Sequence, residues 1–163
     1  MEEINKKFLE LYNLYSNDVL RLAFSFTKSI YESEDITQLV FIKLFKELKK
    51  RNNKEYSKKW LLKVTANECK NNFKIAWKRK VVLRDEVLQN QVDLRETLKN
   101  DELSDALLKL SVKYRNVIYL HYYEGYKIDE ISEILNLKPS NVKTLLSRGR
   151  EKMKKILEEN INE

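Results

Sequence analysis

A row of basic side chains recurs along one face of a predicted helix in the middle of the chain. Its members are spaced four, three, four and four residues apart: Lys63, Asn67, Lys70, Lys74 and Lys78. Because successive residues of an α-helix turn by about 100°, all five lie on the same side. Four ammonium groups in line suit the phosphate backbone of a nucleic acid, since each neutralised phosphate releases bound counterions. The alternative interpretation is a solvated helix face that binds nothing.

A second group of polar side chains lies at the start of the last predicted helix. Short or flexible side chains face outward at Ser140, Asn141, Lys143, Thr144 and Ser147, and cations follow at Arg148, Arg150 and Lys152. Hydroxyl, amide and ammonium groups of this kind pair with base edges in the major groove of DNA, and cations pair with phosphates. The pattern therefore indicates a helix that reads a DNA sequence.

A short break separates this helix from the one before it. Apolar spacing predicts a helix over 127–135, followed by a three-residue turn at 136–138. Asn136 tolerates a left-handed backbone better than most residues, and Pro139 suits a first helical position because no partner exists there for an N–H. Two helices joined in this way form a helix-turn-helix pattern, although similar hairpins also occur in proteins that bind no DNA.

The remainder of the chain is also predicted to be helical. Two glycines and one proline in 163 residues favour long helices joined by short loops. The apolar spacing indicates a helix from Phe8 to Phe26, a second that begins near Ser33, and a third over 57–80. We therefore predict an all-α protein with two small helical domains, residues 1–80 and 105–163, joined by an acidic linker at 81–104.

Positive charge is concentrated in one part of the chain. The net charge is +7, and residues 43–80 alone hold 14 basic and 3 acidic residues, whereas residues 81–105 hold 3 basic and 7 acidic ones. Such an asymmetry favours a polyanionic partner. A solvated, lysine-rich surface is the alternative.

The composition argues against several other kinds of protein. One cysteine, Cys69, and one histidine, His121, form neither a disulfide nor a zinc site, so we expect both to be packing residues and predict no metal or cofactor. No apolar run approaches the roughly 20 residues of a membrane span, and no secretory signal is visible. The sequence therefore predicts a cytoplasmic protein without membrane insertion and without a small-molecule substrate.

The C-terminal half resembles region 4 of bacterial sigma factors of the sigma-70 family, especially the extracytoplasmic-function group. The matching features are Tyr114-Arg115-Asn116-Val117, Glu124-Gly125, Glu130-Ile131, Leu137, Val142-Lys143 and Arg148-Gly149-Arg150. In the N-terminal half, residues 32–45 (ESEDITQLVFIKLF) resemble the region 2 segment that binds RNA polymerase. Residues 60–73 (WLLKVTANECKNNF) resemble the helix that engages the promoter minus-10 element. The two resemblances cover nearly the whole chain in order, which is more specific than either alone.

The resemblance implies an alternative sigma factor, which binds core RNA polymerase and directs initiation at promoter DNA without being an enzyme. Minus-35 contacts are expected from Arg115, Lys138, Ser140, Asn141, Lys143, Thr144, Ser147 and Arg148. Minus-10 contacts are expected from Asn53, Lys59, Lys63, Asn67, Lys70, Asn71, Lys74 and Lys78. Polymerase contacts are expected from Asp35, Gln38, Ile42 and Phe45. The resemblance also implies control by an anti-sigma factor.

Five residues depart from the family pattern: Leu39, Asn71, Ser111, Leu145 and Gly149. Leu39 stands where a glutamate is usual in the polymerase-binding segment. Leu145 stands where an arginine is often found in the recognition helix, which implies that one DNA contact is missing and that the minus-35 contacts depend on Asn141, Lys143 and Thr144. Such changes affect promoter preference or partner strength more than the class of function.

Two other functions compete with this interpretation. A one-component transcription regulator, with a ligand-binding or dimerising N-terminal domain, would explain the helix-turn-helix but not the basic helix over 63–78. An enzyme that acts on nucleic acid would need a metal-binding acidic cluster, a phosphate-binding loop or a nucleophile with its base, and none is visible. Glu32, Glu34 and Asp35 fit the start of a helix better, since anions are stabilised there.

Overall fold

The fold of the described residues is entirely helical. The computed structural model describes residues 1–51, 55–76 and 102–162. These residues form α1 (Glu2–Thr27), α2 (Ile30–Lys50), α3 (Lys58–Ala76), α4 (Glu102–Lys109), α5 (Val112–Ile118), a π-helix (Tyr119–Tyr123), α6 (Ile128–Leu135) and α7 (Pro139–Ile161). The all-α prediction is confirmed. Most of the predicted linker at 81–104 lies outside the described residues, and its last three residues begin α4.

The N-terminal half packs α1, α2 and α3 around an apolar core. The side chains that meet there include Val19, Leu22, Val40, Leu44, Leu62, Ala66 and Cys69, all 0–1 % exposed. The second helix begins at Ile30 rather than near Ser33, because Ser29 Oγ accepts a hydrogen bond from the Glu32 N–H at 3.3 Å and so caps the helix. Burial raises the pKa of the Cys69 thiol, which makes it an unreactive packing residue, as the sequence predicts.

The helix-turn-helix of the C-terminal half forms as the sequence predicts. Asn136 takes the left-handed conformation (φ 55°) after α6, and Pro139 is the first residue of α7. Ser132 Oγ donates a hydrogen bond to the Leu137 carbonyl, so a small polar side chain fastens the turn to the preceding helix. The core between the helices is made by Ile131, Leu135, Val142 and Leu146, each buried.

Gly149 allows α7 to approach α5 closely. A Cβ atom placed on this buried glycine would lie 3.0 Å from Ile118 Cγ1 and 3.5 Å from Tyr114 Cβ. The absent side chain costs about 1 kcal/mol in helix propensity relative to alanine. The glycine therefore lets α7 lie closer to α5 than a residue with a side chain would.

We expect Gly149→Leu to destabilise the protein by roughly 1–3 kcal/mol, because the added side chain overpacks the contact with Ile118. Equilibrium denaturation in urea, followed by helical circular dichroism, measures the change. Glu151→Leu is the matched control, since it puts the same side chain on an exposed position of α7. Equal stability of the two variants would contradict this packing role.

The two halves of the chain also pack against each other. Helix α3 lies against α6, and α1 lies against α5. Interactions across this boundary include the buried hydrogen bond in which Ser25 Oγ donates to Asn116 Oδ1 at 2.7 Å. The arrangement brings the predicted basic helix next to the helix-turn-helix.

Candidate nucleic-acid interface

The first turns of α7 present a continuous polar face to solvent. All of its predicted residues are exposed: Ser140, Asn141, Lys143, Thr144, Ser147 and Arg148. They are separated by the buried residues Val142, Leu145 and Leu146, which hold the helix on α5 and α6. Lys138 is exposed at the N-cap of α7, where unpaired backbone N–H groups favour an anion. The structure therefore brings seven of the eight predicted minus-35 residues together on one free surface.

Leu145 belongs to the core rather than to this surface. Only 8 % of it is exposed, and it lies on the side of α7 that packs against the rest of the C-terminal half. A buried apolar side chain offers DNA no hydrogen-bonding group. That the minus-35 contacts depend on Asn141, Lys143 and Thr144 stays a prediction.

Arg115 is the predicted minus-35 residue that lies elsewhere. It is 4 % exposed, and its guanidinium donates hydrogen bonds to the carbonyls of Leu110 at 2.7 Å, Phe26 at 3.1 Å and Ser25. Burial lowers the pKa of Arg115 to about 10, so the group is still charged at neutral pH. Two of its three carbonyl partners in this arrangement, Ser25 and Phe26, belong to α1.

The basic face of α3 is partly open and partly covered. Lys63, Asn67 and Asn71 are exposed. Lys59 Nζ lies 2.8 Å from Glu133 Oε2 of α6, and this pairing raises the pKa of Lys59 and lowers that of Glu133. Lys70 is half-buried and donates to the Leu135 carbonyl. Asn53, Lys78 and the side chain of Lys74 lie outside the described residues.

An apolar groove of about 780 Å³ runs between α1 and α2. Three of the four predicted polymerase contacts, Gln38, Ile42 and Phe45, line it, and Asp35 is exposed one turn earlier on α2. The opposite wall includes Phe8 and Tyr12 of α1, whose rings pack against Phe41 and Phe45. Phe8 and Tyr12 are not among the predicted site residues, although their apolar spacing is visible in the sequence.

A second groove, of about 910 Å³, lies beside the π-helix, and the sequence analysis missed it. Tyr122, Tyr123, Met153 and Leu157 are among its lining residues, and Arg150 Nη1 donates to the Tyr122 hydroxyl at 3.0 Å. Tyr122 is 53 % exposed. The wider turn of the π-helix shifts the register of the side chains that follow, and periodicity does not reveal such a shift.

Metal-binding groups, membrane spans and the one histidine can each be assessed within the described ranges. No group of three His, Cys, Asp or Glu side chains in them is placed to hold a metal ion. Across the same ranges, no helix is long and apolar enough to cross a membrane. His121 is half-buried, and its Nδ1 lies 2.8 Å from the Tyr126 carbonyl, which suits a packing residue.

Known proteins match both halves of the chain in order. The family model described as Sigma-70 region 2 matches residues 11–79, and the one described as Sigma-70, region 4, matches residues 100–153. RNA polymerase sigma factor SigV of Bacillus subtilis is 30 % identical over 141 residues, covering 86 % of this chain and 84 % of SigV. The chain belongs to the sigma-70 family of RNA polymerase sigma factors, in the extracytoplasmic-function group.

A further relative and two solved structures are also similar to this sigma factor. The ECF RNA polymerase sigma factor SigW of Bacillus subtilis is 27 % identical over 166 residues, covering 92 % of this chain and 88 % of SigW. The sigma factor RpoE of Bartonella quintana, solved with the anti-sigma factor NepR, has a TM-score of 0.70 and 21 % identity over 94 % of this chain and 98 % of its own. CnrH, solved with the cytosolic domain of CnrY, has a TM-score of 0.63 and 20 % identity, covering 93 % and 87 %. These two structures share the fold.

Proposed function

We propose that this alternative sigma factor divides its work among three surfaces. The α1–α2 groove binds core RNA polymerase, the polar face of α7 reads the minus-35 element, and the basic face of α3 binds the opened minus-10 element. The proposal rests on the positions of two of these surfaces along the chain. The exposed polar faces of α3 and α7 fall inside the region 2 and region 4 matches, on separate helices.

The α7 face has the chemistry of a major-groove reader. Asn141 offers an amide that can pair in two places with one adenine, while the hydroxyls of Ser140 and Ser147 accept from or donate to either kind of base edge. Arg148 and Lys138 flank this surface as phosphate partners, which set the register of the helix on the duplex.

The α3 face suits a single strand rather than a duplex groove. Lys63 is an exposed cation and Asn67 and Asn71 are exposed amides one turn apart, so the face offers both a phosphate partner and hydrogen-bonding groups for unstacked bases. Lys59 and Lys70 extend it once they leave their partners on α6.

The α1–α2 groove suits a helical partner. It is largely apolar, with Ile42 half-exposed at 50 %, and Lys46 and Lys49 also line it. Apolar surface of this kind, left open beside cations, is typical of a helix-binding site. A helix of core polymerase with an acidic edge would complement it.

An anti-sigma factor is the proposed inhibitor. The sigma factor RpoE was solved with the anti-sigma factor NepR, and CnrH was solved with the cytosolic domain of CnrY. Both grooves described above leave apolar side chains exposed, which gives such a protein a surface to cover. We also propose that the sigma factor works in the cytoplasm and supplies no catalytic group, because the polymerase performs the chemistry.

The experiment is reconstituted transcription. Purified sigma factor and core polymerase, supplied with a fragmented genomic library, should yield run-off transcripts that start downstream of a shared pair of sequence elements. A set of transcripts no different from that of core polymerase alone would disprove the proposed function.

Asn67→Ala should impair promoter opening while leaving closed-complex binding unchanged, because its amide is exposed on α3 and would contact only the unpaired strand. Permanganate footprinting of unpaired thymines measures opening, and we expect a decrease of roughly fivefold or more. Asn13→Ala, an exposed asparagine on α1, is the matched control. Normal thymine reactivity in Asn67→Ala would refute this assignment.

A further inference from the structure

Thr144 lies at the centre of the exposed face of α7 and points away from the core. Val142 and Leu146, two residues to either side of it, are both buried. Because successive residues of a helix turn by about 100°, each of these two side chains projects on nearly the opposite side from Thr144. When the buried stripe of α7 packs on α5 and α6, Thr144 therefore points directly outward from the helix.

The hydroxyl proton of Thr144 is already used within the helix. Its Oγ1 donates a hydrogen bond to the carbonyl of Ser140, four residues earlier, at 3.1 Å. Branching at Cβ leaves a threonine in a helix two common side-chain conformations, and this bond selects one of them. Since Oγ1 is directed back along the helix toward Ser140, the branch of Thr144 that remains for a partner is its γ-methyl group.

Thr144 is also the one residue of this face that carries a methyl group. Its exposed neighbours end in hydroxyl, amide, ammonium or guanidinium groups: Ser140, Asn141, Lys143, Ser147 and Arg148. Groups of these kinds form hydrogen bonds with base edges or pair with phosphates. Thr144 thus provides a methyl contact at the centre of a surface whose other side chains end in polar groups.

Thymine is the base that presents a matching group in the major groove. Its edge carries the O4 acceptor and a C5-methyl group, which no other base of DNA has. The acceptor atoms of guanine and the N7 atom of adenine need a donated proton, and the proton of the Thr144 hydroxyl is bonded to Ser140. The competing partner is an amino group of adenine or cytosine, which would donate to the lone pairs of Thr144 Oγ1.

We propose that Thr144 determines part of the promoter specificity by selecting a thymine in the minus-35 element, through contact between its γ-methyl group and the C5-methyl group of the base. The inference rests on the proposed function, which assigns the polar face of α7 to the major groove. Asn141 lies three residues earlier on the same face, about 4.5 Å along the helix axis. Side chains spaced in this way reach neighbouring base pairs, so the thymine lies beside the base that Asn141 contacts.

Replacement of thymine by uracil tests the proposal, because uracil lacks only the C5-methyl group. The sigma factor is used as its complex with core polymerase, and the templates are promoters recovered from the genomic library. Each thymine of the minus-35 element is changed to uracil in turn, and fluorescence anisotropy of labelled promoter DNA measures binding. We expect one position at which uracil weakens binding by the wild-type complex about three- to fivefold, the size expected for one buried methyl group.

Two substitutions separate the methyl group of Thr144 from its hydroxyl. Thr144→Ser keeps the hydroxyl and removes the methyl group, so it should bind the thymine and uracil templates alike. Thr144→Val removes the hydroxyl and keeps a γ-methyl group, so it should retain the three- to fivefold preference for thymine. Ser140→Ala is the matched control, because it changes a neighbouring side chain and leaves the carbonyl that holds Thr144 in place. It should retain the thymine preference whatever its overall affinity.

Three results would overturn the role given to Thr144. One is equal binding of every uracil template and its thymine parent by the wild-type complex. Another is a thymine preference that persists in Thr144→Ser. The third is a loss of binding in Thr144→Val that Thr144→Ser does not share, since the hydroxyl then reads an amino group. If the complex initiates selectively and uracil has no effect, this inference alone fails, whereas a complex that selects no promoter at all removes the proposed function as well.

Discussion

Replacing Ile42 with glutamate should abolish initiation by preventing the sigma factor from joining core polymerase. Ile42 is 50 % exposed and lines the α1–α2 groove, so the substitution leaves the core intact. A carboxylate brought into an apolar interface is left without a partner, and loss of a central apolar contact typically weakens binding by 2 kcal/mol or more, or about 30-fold. Fluorescence anisotropy of labelled sigma factor titrated with core polymerase measures the affinity.

A leucine one turn earlier on α2 supplies the control. Leu39 is also exposed on α2, at 47 %, but it is not among the residues that line the groove. Leu39→Glu makes the same kind of change, toward the residue that is usual in the family, and should bind core polymerase at least as tightly as wild type. If the two variants bind alike, the groove is not where core polymerase binds.

Asn141→Ala should lower initiation at promoters that depend on the minus-35 element by roughly five- to 100-fold, since a bidentate contact to a base contributes about 1–3 kcal/mol. Lys143→Ala should weaken binding and reduce its salt dependence, because a cation near the backbone contributes through counterion release. Both side chains are exposed, so folding is unaffected. Promoters recovered from the genomic library provide the templates, with base changes introduced at the upstream element.

The comparison that decides this prediction is between variants on the same helix. Lys155→Ala removes an exposed cation from the C-terminal part of α7, away from its polar N-terminal face, and should leave promoter preference unchanged. The Asn141→Ala variant should lose initiation activity on promoters with the native upstream element. It should lose little on promoters in which that element has already been changed. Equal losses on both templates would show that Asn141 reads no base.

Local signals in the sequence determined the helices and the turn of the helix-turn-helix. Asn136 takes the left-handed conformation and Pro139 starts α7 because a single residue's backbone preference decides such positions. The exposed face of α7 was predictable for the same reason: polar side chains at helical spacing face water on any helix that buries its apolar stripe. The groove residues Gln38, Ile42 and Phe45, by contrast, were predicted from the family resemblance and not from spacing.

Only the tertiary structure decided that two adjacent leucines of α7 are both buried and that Tyr122 stays exposed. Leu145 and Leu146 are both buried, because α7 lies against α5 on one side and α6 on the other, and one helix's periodicity does not show two neighbours. Tyr122 is exposed because the π-helix shifts the register of its turn. The burial of both leucines and the exposure of Tyr122 depend on how the helices pack against one another.

The role of the basic residues shows the same division most clearly. The sequence determined that Arg115, Lys59 and Lys70 are cations, and hence that they seek oxygen atoms. Whether those oxygens belong to DNA or to a helix end and a carboxylate of the same chain was decided by the packing of α1 on α5 and of α3 on α6. A charge selects a kind of partner, whereas the tertiary structure selects which partner lies within reach.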